Sequence, residues 1–115
     1  VRNQHQQVTK IVEHRDATAT ELAIHEIYSG IMVIAANYLK KALLRIQLNN
    51  KQKEYYLTDV VSFAVSDQLP IHSLMCENEW EIQGVNDRLQ LIQLERYVQK
   101  QYAEHLLKAG VHIFD

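Results

Sequence analysis

The sequence predicts an α/β fold. Short strand-like runs (residues 8–13, rich in β-branched residues, 24–35 and 71–76) alternate with apolar stripes at helical spacing, and the longest stripe, residues 87–109, comes last. With 115 residues, 47% of them hydrophobic and 23% charged, the chain has the size of one small domain.

In order, Asn3 to Gln7 reads as a polar turn and Val8 to Glu13 as a strand. His14 to Glu21 is polar and loop-like. Ile24 to Ala35 carries a longer strand pattern through Ile27, Ile31, Val33 and Ile34, interrupted by Gly30, which points to a bulge or a close backbone approach. Asn37 is a candidate N-cap for a helix with Leu39, Ala42, Leu43 and Ile46 on its apolar face, closed by the polar residues 49–53. Leu57, Val60, Val61, Ala64 and Val65 make the stripe of a second helix, begun by Tyr56 or Thr58. Pro70 breaks it, because proline lacks an amide donor and biases its predecessor away from helix. Ile71 to Cys76 is a third strand pattern, followed by an acidic, irregular stretch around Trp80.

The last helix is the longest: Leu91, Leu94, Val98, Tyr102, Leu106 and Ala109 keep a 3/4 spacing, Asn86 is a candidate N-cap and Gly110 a stop. At 1.5 Å per residue it would be roughly 35 Å long, more than so small a domain needs to cover its own core. Val111 to Phe114 then restarts a strand pattern, so the helix looks like a connector between domains.

Composition excludes several functions. Average usage would give about eight glycines; the three present, Gly30, Gly84 and Gly110, are too scattered to cradle a phosphate. Twelve basic against fourteen acidic residues argue against nucleic acid as a partner. The lone Cys76 excludes an internal disulfide, reads as a buried inert thiol and favours a reducing compartment. No apolar run approaches the roughly 20 residues of a membrane span, and the polar amino end lacks a signal-peptide core. These features read as cytoplasmic, and a first residue other than Met is what a piece of a longer protein would show.

The six histidines have no i,i+4 pair and no second ligand at zinc-finger spacing, and no nucleophile motif is present. Three positions are left with two readings each. Glu13 ends an apolar strand, where a solvated carboxylate is the commoner role. Asn86 is fully explained as a helix N-cap, yet a ligand-binding amide would look the same. The run Glu54-Tyr55-Tyr56-Leu57-Thr58-Asp59 suits helix initiation and packing as well as a binding edge.

Taken together, Ile-Val-Glu-His-Arg-Asp-Ala at 11–17, Glu-Ile-Tyr-Ser-Gly-Ile at 26–31, Glu-Tyr-Tyr-Leu-Thr-Asp at 54–59, Gly-Val-Asn-Asp-Arg-Leu-Gln-Leu at 84–91 and Leu-Glu-Arg at 94–96 resemble one family in order and spacing. It is the bacterial bifunctional N-acetylglucosamine-1-phosphate uridyltransferase / glucosamine-1-phosphate acetyltransferase. The resemblance implies a nucleotidyltransferase-type (Rossmann-like) mixed sheet with flanking helices and a long C-terminal helix. It divides the chain into residues 1–85, the second half of the uridyltransferase domain, residues 86–110, a linker helix, and residues 111–115, the start of a left-handed β-helix acetyltransferase domain.

The resemblance also implies the chemistry. The parent would join UTP and N-acetylglucosamine 1-phosphate into UDP-N-acetylglucosamine, a precursor of peptidoglycan and lipopolysaccharide, as a homotrimer. Glu13 matches a glutamate that holds the sugar, and Asn86 an asparagine that contacts the nucleotide-sugar and coordinates Mg²⁺ with an aspartate not found in this chain. Tyr56 and Thr58 match positions near the N-acetyl and sugar groups. Tyr28, in Tyr28-Ser29-Gly30, stands where the family has the asparagine of Asn-Thr-Gly, so a bulkier phenol replaces a sugar-binding amide. The chain is expected to be inactive alone, since the glycine-rich loop and the acetyl-transfer residues are not among its 115. The alternative is a non-catalytic interaction module that dimerises through exposed sheet edges.

Overall fold

A computed structural model describes residues 1–114. Its secondary structure is helical: α1 (Ala19–Leu22), α2 (Ala36–Leu43), α3 (Asp59–Ser66), a 3₁₀ turn (Glu79–Glu81) and α4 (Arg88–Lys108). The expected mixed sheet does not form. Among the described residues the only strand-like pairing is one antiparallel bridge between Arg2 and Val8. Residues 8–13, 24–35, 71–76 and 111–114 carry the strand pattern but no ladder; Asp115 lies outside the described residues.

The reason is that apolar alternation marks which side chains favour burial, while a strand exists only when its amides and carbonyls meet a neighbour's. Here the patterned segments do not pair with one another, and Val33 and Leu74 stand fully exposed, at 99% and 101%. Side chains make the ties instead. The Arg2 guanidinium donates to both carboxylate oxygens of Glu26 at 2.7 and 2.5 Å and to Ser73 Oγ at 2.8 Å, joining the amino end to the segments 24–35 and 71–76. Such exposed pairs contribute little to stability.

The chain divides into two compact units, Val1–Leu74 and the residues from Met75 onward. In the first, Asn3 Oδ1 accepts from the His5 and Gln7 amides and closes the expected turn. The stretch 14–21, read as loop, runs into α1, where the N-cap Thr18 hydroxyl accepts from the Glu21 amide while the Glu21 carboxylate accepts from the Thr18 amide. This capping box was legible as Thr-x-x-Glu. Helix α2 begins at Ala36, so Asn37 lies inside it and is not its cap; Ala35 takes that position without a side-chain bond. Gly30 has φ +86° with open space around it, so it serves a turn and not a close approach.

The core of this unit lies where α2 meets α3: Ala42 is fully buried and Val60 is 2% exposed. At the far end of α3, the Asp67 carboxylate accepts from the Tyr38 hydroxyl at 2.8 Å and from Arg45 Nη1 at 2.5 Å, tying the two helices together. The Arg45 guanidinium also lies 4.4 Å over the Phe63 ring, a cation–π contact.

In the second unit, Trp80 stacks on Tyr97 with ring centroids 4.7 Å apart, and Asn78 donates to the Tyr97 hydroxyl at 3.0 Å. Cys76, expected buried, is half-buried with its thiol on the Asn78 carbonyl. Helix α4 is about 32 Å long over its 21 residues. Gly110 stops it as expected: with φ +86°, its amide donates to Leu107 and that of Val111 to Leu106, closing a Schellman motif. Among the described residues, no helix is long and apolar enough to cross a membrane.

Candidate functional site

Glu13 and Tyr56 line a cleft of about 800 Å³ in the first unit together with Asp16 and Asp59, and Thr58, outside the lining, reaches Glu13. Two turns build it. In the first, the Glu13 carbonyl accepts from the Asp16 and Ala17 amides at 2.9 and 3.1 Å, which carries Asp16 back beside Glu13. In the second, Asn50 binds the backbone of Glu54 at both ends of its amide, 2.6 Å to the carbonyl and 3.1 Å from the amide.

Asp16 fastens the two turns. One oxygen accepts from the Lys51 amide at 2.9 Å and the other from the Tyr56 hydroxyl at 3.0 Å, while Gln52 Nε2 donates to the Tyr56 oxygen at 2.6 Å. Lys51 Nζ adds a bond to the Arg15 carbonyl at 2.6 Å. Thr58 occupies the N-cap position of α3 but caps nothing. Its buried hydroxyl turns instead to Glu13 Oε1 at 3.4 Å.

The cleft is negative where it is free. Its cations are Lys10 and Arg45; Lys10 is paired with Glu21 at 2.6 Å and Arg45 with Asp67 at 2.5 Å. Glu13, Asp16 and Asp59 are left without a basic partner among the described residues. Burial, followed by the charge of Asp16, pushes the Asp59 carboxyl above its ordinary range. Burial likewise raises the Tyr56 phenol, with Asp16 adding to the effect and the bond from Gln52 opposing it. The Glu21 carboxyl is held down to about 2, first by the Lys10 ammonium and then by the Thr18 amide and hydroxyl.

Asp16 and Asp59 were not singled out from sequence. The available signal was position: Asp16 follows Glu13 by three residues within one tight turn, and Asp59 is next to Thr58.

The structure does not bring Tyr28 to this group. It is half-buried, it does not line the cleft, and its hydroxyl has no hydrogen bond among the described residues; burial raises its pKa. Asn86 belongs to the second unit, and it is not the cap of α4. Asp87 is, accepting from the Gln90 amide at 2.8 Å, while Gln90 Oε1 takes the Asn86 amide at 2.7 Å. The Asn86 side chain is therefore not used in capping.

As a Mg²⁺ site, these residues fall short. A hard divalent ion of octahedral preference takes one or two carboxylates plus waters or phosphate oxygens, and Asn86 offers one neutral amide oxygen. Among the described residues, no three His, Cys, Asp or Glu side chains are grouped to hold a metal ion.

No protein-family model matches the chain. Curated proteins do. Over all 115 residues the chain is 45% identical to the bifunctional protein GlmU of Legionella pneumophila (strain Lens), 47% to that of Bordetella petrii and 46% to that of Ralstonia nicotianae, in each case over 25% of the relative's length. Along its whole length, then, this chain is a relative of the bifunctional GlmU proteins, and it spans about a quarter of theirs.

Proposed function

We propose that this chain is the sugar-recognising part of a nucleotidyltransferase that makes UDP-N-acetylglucosamine from UTP and N-acetylglucosamine 1-phosphate. In the parent reaction a phosphate oxygen of the sugar phosphate attacks the α-phosphorus of UTP, a new P–O bond forms, and the bond to the β-phosphate breaks to release pyrophosphate. Residues 1–85 would belong to the uridyltransferase domain, 86–110 to a linker helix and 111–115 to the start of an acetyltransferase domain. Mg²⁺ belongs to the parent reaction in this reading, with Asn86 giving one oxygen.

The observation that carries the reading is the cleft's electrostatics. Its two cations are both neutralised by carboxylates, whereas Glu13, Asp16 and Asp59 are not. A phosphate would be repelled there. A sugar offers hydroxyl and amide donors, and ionised carboxylates are acceptors only. Glu13 would take sugar hydroxyls, its carboxylate steadied by Thr58, and Tyr56 would meet the sugar beside it. In this reading the sugar is N-acetylglucosamine, as the family resemblance implies. Tyr28, standing where the family has asparagine, would no longer offer a sugar-binding amide.

The chain is expected not to turn over by itself, because phosphoryl transfer needs phosphates held in line and their charge offset, and its three scattered glycines make no phosphate loop. A coupled assay for pyrophosphate with UTP, Mg²⁺ and the sugar phosphate tests this. The purified chain should match a no-protein control; turnover above it would refute the inactivity.

A second reading is favoured by one observation. Ile27, Ile31, Val33 and Leu74 are all largely exposed on segments with unpaired backbone, apolar surface that a second copy could cover. Light scattering should then show self-association that grows with concentration. A monomer at every concentration would dismiss it.

A further inference from the structure

We propose that Asp16 is a positioning residue of this cleft: it engages the Tyr56 hydroxyl proton, so that Tyr56 meets a ligand as a hydrogen-bond acceptor. The inference rests on the reading that Tyr56 borders the sugar. A phenol has one proton and two lone pairs, and an ionised carboxylate can only accept. The 3.0 Å bond between Tyr56 and Asp16 Oδ2 must therefore use the phenol's proton. Gln52 Nε2, at 2.6 Å, uses one lone pair. One lone pair remains, and a group approaching from the cleft has to bring a donor to it.

Asp16 is itself fixed. Its other oxygen accepts from the Lys51 amide at 2.9 Å, and its own amide donates to the Glu13 carbonyl at 2.9 Å. The same carboxylate thus orients Tyr56 and sets the separation of the Glu13 turn from the 50–56 turn. Burial is the main cause of the raised Tyr56 pKa, and Asp16 adds to it by opposing loss of the phenol proton. The ligand class that follows is one with an N–H or O–H at the Tyr56 position, such as an acetamido or hydroxyl group of a sugar.

The test begins on the free chain, without any ligand. The Tyr56 phenol is titrated by ¹³C NMR at its ring carbon bearing the oxygen, in the wild type, Asp16→Asn and Gln52→Ala. Asp16→Asn keeps an acceptor for the Lys51 amide but puts an NH₂ at or near Tyr56, so the phenol pKa should fall by about one unit; Gln52→Ala should raise it. An unmoved pKa in a folded Asp16→Asn, or the same sign in both variants, would overturn the proposal. Should Asp16→Asn not fold, the sign in Gln52→Ala still decides whether the phenol oxygen is the acceptor in that bond. With N-acetylglucosamine 1-phosphate as probe, Asp16→Asn should weaken binding about tenfold in the wild type and not at all in a Tyr56→Phe background. Equal weakening in both backgrounds would show that Asp16 acts elsewhere. Absence of binding to the wild-type chain would count against the sugar reading, and the ligand-free titration would still decide the role of Asp16.

Discussion

The Thr58 hydroxyl, at the head of α3, donates to Glu13 Oε1 at 3.4 Å instead of capping its own helix. A side chain that gives up a local bond worth typically about 1 kcal/mol to meet a carboxylate 45 residues away in sequence is placed for the carboxylate. Thr58→Val keeps the buried shape and removes the donor. Stability should change by no more than about 1 kcal/mol, while affinity for N-acetylglucosamine 1-phosphate falls about tenfold, as read by calorimetry. Unchanged affinity would separate Thr58 from the site.

Glu21 gives a pH signature. Its folded carboxyl titrates near 2 against an ordinary 4.5, because Lys10 and the Thr18 cap favour the charged form. A depressed folded pKa stabilises the protein above the unfolded value, and that contribution is lost as pH falls from about 4.5 through about 2. Removing the carboxylate as Glu21→Gln should lower the melting temperature at pH 7 and leave the difference much smaller at pH 2. A difference independent of pH would place the effect in packing and not in charge.

Asp59 shows the opposite sign. Burial and the neighbouring Asp16 raise its folded pKa above the ordinary 3.8, so its charged form is disfavoured by folding. The associated stability is present below 3.8 and lost as pH rises through the raised value. Asp59→Asn should therefore stabilise the chain at pH 7, with the gain fading below pH 3.8. A residue whose removal stabilises the fold but weakens ligand binding is one kept for function.

The core is small enough to be sensitive. Val60 is 2% exposed against a fully buried Ala42, and Val60→Ala should cost about 2 kcal/mol in urea unfolding. Ala42→Leu should also destabilise, by about 1–3 kcal/mol, because a larger side chain would have to be accommodated at a fully buried position.

The three longer helices were legible in the sequence; α1, read as loop, and the absence of a sheet were not. The stripe from Leu91 to Leu106 and the Gly110 stop predicted α4 because a helix closes its hydrogen bonds within itself. The stripe from Val60 to Val65 predicted α3 for the same reason. The alternation through Ile27, Ile31 and Val33 specified side chains that favour burial but not a partner strand, and in this chain the segment has none. Caps were misplaced by one or two residues: Asp87 and not Asn86, Ala35 and not Asn37. In the cleft, Glu13, Tyr56 and Thr58 were singled out through the family likeness, and the structure groups them. Asp16 and Asp59 were not singled out, because their place beside that group depends on two turns meeting in space, which no local pattern records.

The central claim is that the cleft between the Glu13 turn and the Tyr56 turn recognises an amino-sugar phosphate by its sugar. Backbone amide shifts of the ¹⁵N-labelled chain, followed while N-acetylglucosamine 1-phosphate is added to millimolar concentration, test it most directly. Saturable shifts should cluster at Glu13, Asp16, Tyr56, Thr58 and Asp59 and vanish in Glu13→Ala. Shifts that are absent at those residues, or that persist unchanged in Glu13→Ala, would contradict it.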